Sequence, residues 1–109
     1  MYLIITRSFP PDQGGMQNLM MGLAKNLSKF NLIKVFTDEQ KNSLEHDSNY
    51  SFSIERIKGI KLIRKYRKAF RVNSFLVENK NIKCVIADHW KSLEHIKTSK
   101  KKICLIHSK

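Results

Sequence analysis

The sequence predicts an α/β protein, a parallel β-sheet with helices on both of its faces. Three observations carry this. Short runs rich in Val, Ile, Leu and Phe recur along the chain, as strands require. Between them lie segments whose apolar residues fall at helical spacing. The two kinds of segment alternate, which is the order that builds a parallel sheet covered on both sides.

Residues 2–7 form an apolar run that ends in a loop, Ser8 to Gly15. Pro10 and Pro11 exclude a helix from that loop, and Gly14 and Gly15 punctuate its passage into the next segment. Leu19, Met20, Leu23, Ala24 and Leu27 then lie on one helical stripe, with Lys25 and Lys29 toward the C-terminal end, where cations suit the helix dipole. Residues 33–37 read as a second strand ending at Asp38, and residues 38–49 as a polar loop with one helical turn. Tyr50, Phe52 and Ile54 alternate with Ser51, Ser53 and Glu55, the period of a half-exposed third strand that runs on to Ile57. From Lys61 to about Asn79 the period is helical again. Leu62, Tyr66, Ala69, Phe70, Asn73, Leu76 and Val77 share one side, the side expected to pack on the sheet. Residues 82–87 form a fourth strand, Trp90 to about Thr98 a short helix, and residues 103–106 a fifth strand.

The chain has 109 residues, enough for one small domain. No run approaches the roughly 20 apolar residues of a membrane span. The opening apolar run breaks at Arg7 and Pro10-Pro11 without the pattern of a secretory signal, which predicts a cytoplasmic protein. Cys84 and Cys104 sit in apolar runs and read as buried, reduced thiols. His46 and His95 have no partner at metal-ligand spacing, so no metal is expected.

The net charge is +12. Such basicity implies an anionic partner, although lysine-rich composition also arises from AT-rich coding. The clustering is more informative. Arg56, Lys58, Lys61, Arg64, Lys65, Arg67, Lys68 and Arg71 fall in one stretch without an acid, and four of the chain's five arginines are among them. A basic cluster leading into a helix with an apolar side predicts an anionic membrane surface or anionic acceptor as partner, with Lys61, Arg64, Lys65, Arg67, Lys68 and Arg71 as its contacts.

In a parallel sheet, ligands bind at the carboxyl ends of the strands. The loops to inspect are therefore 8–15, 38–49, 88–90 and 107–109. In the first of them, Phe9-Pro10-Pro11-Asp12-Gln13-Gly14-Gly15-Met16-Gln17 resembles the opening loop of glycosyltransferase family 4. These are retaining enzymes of the GT-B fold, with two Rossmann-like domains facing a cleft. The resemblance extends along the chain in element order, including Ala87-Asp88-His89 and Ile106-His107. It implies that residues 1–109 are part of the N-terminal domain, with the C-terminal, donor-binding domain outside them and no transfer by this part alone. It further implies a nucleotide-sugar donor as substrate, no cofactor, and a cell-surface glycan or lipid-linked acceptor at the inner face of the membrane. Gly14 and Gly15 would approach the donor diphosphate, Asp12, Asp88 and His89 would touch the acceptor, and His107 would lie near the reacting sugar. Ser108 departs from the glycine that often comes after this histidine in the family.

Glycine lets backbone N–H groups come close to phosphate, and a helix N-terminus adds a favourable dipole. The same residues could instead only turn loop into helix, and Asp88 could only cap the helix near Trp90. The alternative function is a stand-alone basic module that binds nucleic acid or anionic membrane. Nucleic acid is disfavoured: no nucleic-acid motif is present, and the aromatics read as core stripes. A different nucleotide-binding fold is disfavoured too, since neither G-x-G-x-x-G nor the P-loop pattern occurs.

Overall fold

The computed structural model describes residues 1–11 and 13–105. Its strands are β1 (Tyr2–Ile5), β2 (Ile33–Asp38), β3 (Ser53–Ile57), β4 (Cys84–Ala87) and β5 (Lys101–Cys104). Its helices are α1 (Gly15–Ser28), α2 (Ser43–Asp47) and α3 (Lys61–Glu78), with a 3-10 turn at Trp90–Leu93. The strands form one sheet in the order β3-β2-β1-β4-β5, and every neighbouring pair is parallel. This is a Rossmann-like arrangement. The strand order reverses between β1 and β4, which opens a crevice beyond their carboxyl ends.

Central strands covered on both faces need no polar alternation. Accordingly Leu3, Ile4 and Ile5 of β1 and all four residues of β4 are buried. Successive side chains point to opposite faces. Ile4, Val35, Cys84 and Ile86 join Met20, Met21 and Ala24 of α1 in one core, which also takes in Phe9 of the first loop. Leu3, Ile5, Phe36 and Val85 join Val72 of α3 in the other. Each Val, Leu, Ile, Phe or Met side chain among these, fully buried, stabilises the fold by about 1.5–3 kcal/mol.

Several elements differ in detail from the sequence expectation. On α1 the buried face holds Met21 with Met20 and Ala24, while Leu19 is exposed, so the stripe is turned by about one position. β3 begins at Ser53, and Tyr50 and Phe52 pack against the α1 core from the segment before it, their rings 5.4 Å apart. Among the described residues the fifth strand is Lys101–Cys104, starting two residues before the expected 103, because the backbone register pairs Cys84 with Lys101 and Ala87 with Cys104; residue 106 of the expected strand lies outside the described residues. Two lysines on this edge strand oppose pairing with another sheet. The helix expected from Trp90 to Thr98 is only the 3-10 turn.

The largest departure concerns α3. Its sheet-facing side carries Val72 and the buried Lys68, flanked by partly buried Ala69, Phe75 and Leu76. Leu62, Tyr66, Phe70 and Val77, expected to pack on the sheet, face outward, with Leu62 at 81% and Phe70 at 70% exposure. No helix among the described residues is long and apolar enough to cross a membrane.

Candidate functional site

The carboxyl edge of the sheet has two sides. On the α1 side, Phe9 is fully buried and anchors the first loop into the core. Arg56, at the end of β3, fixes the loop's course. Its Nη2 donates to the Pro10 carbonyl, its Nη1 donates to the Asp38 carbonyl at 3.2 Å, and its guanidinium lies over the Phe9 ring. Two further bonds join it to Asp47 of α2 at 2.8 and 2.9 Å.

That loop delivers the chain to α1 through Gly14, which caps the helix without any side-chain hydrogen bond. Asn18 N–H donates to the Gly14 carbonyl at 3.1 Å and starts the helical ladder. No acidic residue stands in the first turn. Gly14 has φ 158° and ψ 171°, and a Cβ there would run into the Gln17 side chain. Gly15 is the first helical residue, and a Cβ on it would meet nothing within 4 Å. The two glycines thus differ. Gly14 holds a backbone conformation that favours glycine, while Gly15 leaves an open approach to the N-terminal end of α1.

On the α3 side lies a cavity of about 440 Å³. Asp38, at the end of β2, reaches into it between two cations of α3. Lys68 Nζ donates to Asp38 Oδ1 at 2.7 Å and to the Thr6 carbonyl at 3.3 Å, and Arg64 Nε lies 3.4 Å from Asp38 Oδ2. Lys68 is only 5% exposed. The basic cluster is therefore not one solvent-facing patch. Lys61, Arg64, Lys65 and Lys68 line this cavity, whereas Arg67 and Arg71 flank a shallower groove nearer β3. Arg71 is paired there with Glu55 at 2.7 Å, and Arg67 folds back to donate to the Lys58 carbonyl at 2.7 Å.

Asp88 and His89, expected at an acceptor, are buried just past β4. Asp88 Oδ2 accepts from Arg7 N–H at 3.0 Å, and Oδ1 accepts from the Ser92 hydroxyl at 2.7 Å. These bonds tie the loops after β1 and β4 together across the point where strand order reverses. His89, not Asp88, caps the 3-10 turn, its Nδ1 accepting from Lys91 N–H at 3.2 Å. Asp12 and His107 lie outside the described residues.

No group of three or more His, Cys, Asp or Glu among the described residues is arranged to hold a metal ion. Cys84 is buried, and burial pushes its thiol pKa up, with Lys101 opposing weakly. It is packing, not a nucleophile. Cys104 is half-buried, less enclosed than its apolar run implies.

Sequence reasoning missed the roles of Arg7, Asp38, Lys91 and Arg56. One signal was available. Lys61, Arg64, Lys65 and Lys68 stand at i, i+3, i+4 and i+7, so the sequence places them on one side of a helix, though not what that side meets. No protein-family model, no curated protein and no solved structure matches this chain.

Proposed function

We propose that the chain is the Rossmann-like N-terminal domain of a retaining GT-B glycosyltransferase, the half that faces a donor-binding domain across a cleft. The observation that carries this reading is the Gly14-Gly15 turn at the carboxyl end of β1, with open space over Gly15 at the start of α1. When a nucleotide sugar loses its sugar, negative charge grows on the diphosphate. Backbone N–H groups at a helix N-terminus are donors that need no reorganisation to meet that charge. The Arg56 clamp holds the loop that presents them. In this reading the nucleotide sugar is a substrate, and the acceptor is a glycan or lipid-linked sugar bound at the same edge of the sheet. His107 would stand near the reacting sugar, and Asp12 beside the acceptor.

The test is a titration of the ¹⁵N-labelled chain with a nucleoside diphosphate. Amide shifts at Gly15, Met16 and Gln17 that are absent in Gly15→Val support the reading. Shifts elsewhere only, or unchanged shifts in that variant, oppose it.

A second reading concerns location, and a separate observation favours it. Leu62, Ile63, Tyr66, Phe70 and Val77 are all exposed on the outer side of α3, next to Lys58 and Arg67. An outward apolar strip with basic neighbours suits the interface of an anionic membrane. Vesicles containing phosphatidylglycerol should bind the chain and release it as salt rises, since the Debye length shrinks to roughly 3 Å at 1 M. Phe70→Ser with Leu62→Ser should weaken that binding. Equal binding to neutral vesicles, or no loss in the variant, counts against the strip as the contact.

A further inference from the structure

We propose that the cavity between α3 and the carboxyl ends of β1 and β2 is a binding site for a phosphate ester or pyrophosphate group. Six cations stand on its wall: Arg7, Lys61, Arg64, Lys65, Lys68 and Lys91. Only two carboxylates, Asp38 and Glu39, line it with them. The cations come from the end of β1, from α3 and from the 3-10 turn, so the fold gathers them and a local run of lysines does not explain the cluster.

Asp38 is already shared by Lys68 and Arg64. Lys65 is drawn to Glu94 at 2.6 Å, and Arg7 lies 3.8 Å from Asp88. Lys61 and Lys91 take part in none of the ion pairs among the described residues. The cavity therefore keeps a positive excess after internal pairing. Like charges held around one concave space repel, and a multiply charged anion relieves that repulsion. A monocarboxylate would offset one charge, whereas a phosphate monoester or pyrophosphate offsets two or more and accepts several hydrogen bonds.

The wall is also preorganised. Lys68 is buried and held by Asp38 and the Thr6 carbonyl, and Asp38 restrains Arg64 beside it. A volume of about 440 Å³ holds a small phosphorylated molecule or the head of a larger one. This site lies on the α3 side of the sheet, while Gly14 and Gly15 open the α1 side. It stands whether or not the chain belongs to a sugar-transfer enzyme.

The chemistry has two sources, a soluble phosphate compound and a lipid phosphate headgroup. The experiment measures binding of inorganic pyrophosphate by calorimetry, and binding of vesicles carrying phosphatidic acid by sedimentation. Each is run on the chain, on Lys61→Gln/Lys91→Gln, and on Lys29→Gln/Lys83→Gln. All four lysines are exposed, and the second pair lies outside the cavity wall with the same loss of charge. Amide spectra establish that both variants keep the fold. We expect the cavity pair to weaken binding about tenfold or more and the control pair to change it less than about twofold. Loss in the pyrophosphate arm assigns a soluble ligand, and loss only in the vesicle arm assigns the lipid headgroup. Equal weakening by both pairs, or no saturable binding of either probe, overturns the proposal.

Discussion

Arg56 holds Asp47 through two hydrogen bonds, Nε to Oδ2 at 2.8 Å and Nη2 to Oδ1 at 2.9 Å. The pair is largely sequestered, with 7% of the arginine side chain and 15% of the aspartate exposed. The same guanidinium donates to the carbonyls of Pro10 and Asp38, so one side chain joins α2, the end of β2 and the loop that leads to α1. Breaking such a pair leaves a carboxylate and two carbonyls short of a donor. Arg56→Met should therefore lower the unfolding free energy by about 3 kcal/mol in urea. A loss under about 1 kcal/mol would show that the loop is held mainly by Phe9.

Asp47 and Glu55 make stability sensitive to acid. Burial raises the pKa of Asp47, but hydrogen bonds from Arg56 and His46, with their charges, outweigh it and the net shift is downward. For Glu55 the hydrogen bond from Arg71 lowers the pKa, burial opposes, and Lys34 adds to the lowering. A carboxylate with a lowered folded pKa binds fewer protons folded than unfolded. Its stabilisation is thus complete above the unfolded value and is lost as pH falls through the folded one. Tm should hold steady from neutrality to about pH 5 and fall below about pH 4. Asp47→Asn should start from a lower Tm and show a shallower acid fall. An unchanged slope would remove Asp47 from the account.

The outer side of α3 predicts a contrast within one helix. Tyr66 and Phe70 are exposed, so Tyr66→Ser and Phe70→Ser should each change stability by less than about 0.5 kcal/mol. Val72 is fully buried against the second core, and Val72→Ala should cost about 2 kcal/mol. Denaturant midpoints decide it. A large loss at Phe70 would mean that the helix is rotated, and the membrane reading would lose its surface.

α3 also shows what was legible in the sequence and what was not. Element types and their order were readable, apart from the helix expected at Trp90 that is only a 3-10 turn, because apolar runs and helical periods are local signals. Which side of α3 meets the sheet was not. Two stripes were available, one of Leu62, Tyr66 and Phe70, the other of Lys61, Arg64, Lys65, Lys68 and Val72. Hydrophobicity alone chooses the first. The fold takes the second because Val72, with Phe75 and Leu76, packs on the sheet at the helix's C-terminal half, while its N-terminal half overhangs the carboxyl edge. There Lys68 finds Asp38, thirty residues away in sequence. Partners so distant leave no periodic trace. The same holds for Arg56 with Pro10 and for Arg7 with Asp88, whereas the Gly14-Gly15 turn was legible because its meaning is local.

Gly15→Val separates the two meanings of that turn. Gly15 has helical geometry and open space where a Cβ would stand, so valine brings no backbone strain and its Cβ meets no atom of the domain. A β-branched residue in a helix replaces a glycine that is itself unfavourable there, so stability should stay within about 0.5 kcal/mol. Gly14→Val is the opposite case. Its φ of 158° and the nearby Gln17 side chain make the substitution cost about 1–3 kcal/mol. In a protein that carries the facing donor-binding domain, Gly15→Val puts a side chain where the diphosphate would approach the α1 N-terminus. Losing one preorganised donor to a transition-state charge costs roughly 100-fold in rate. We expect kcat/KM for the nucleotide sugar to fall by at least that order while Tm holds. On the proposed reading residues 1–109 alone should show no transfer, because the reacting groups would then meet only between two domains, and turnover by them alone would oppose that reading. A folded Gly15→Val enzyme with near-normal turnover would reduce the glycine pair to a turn, and the glycosyltransferase reading would lose the observation that carries it.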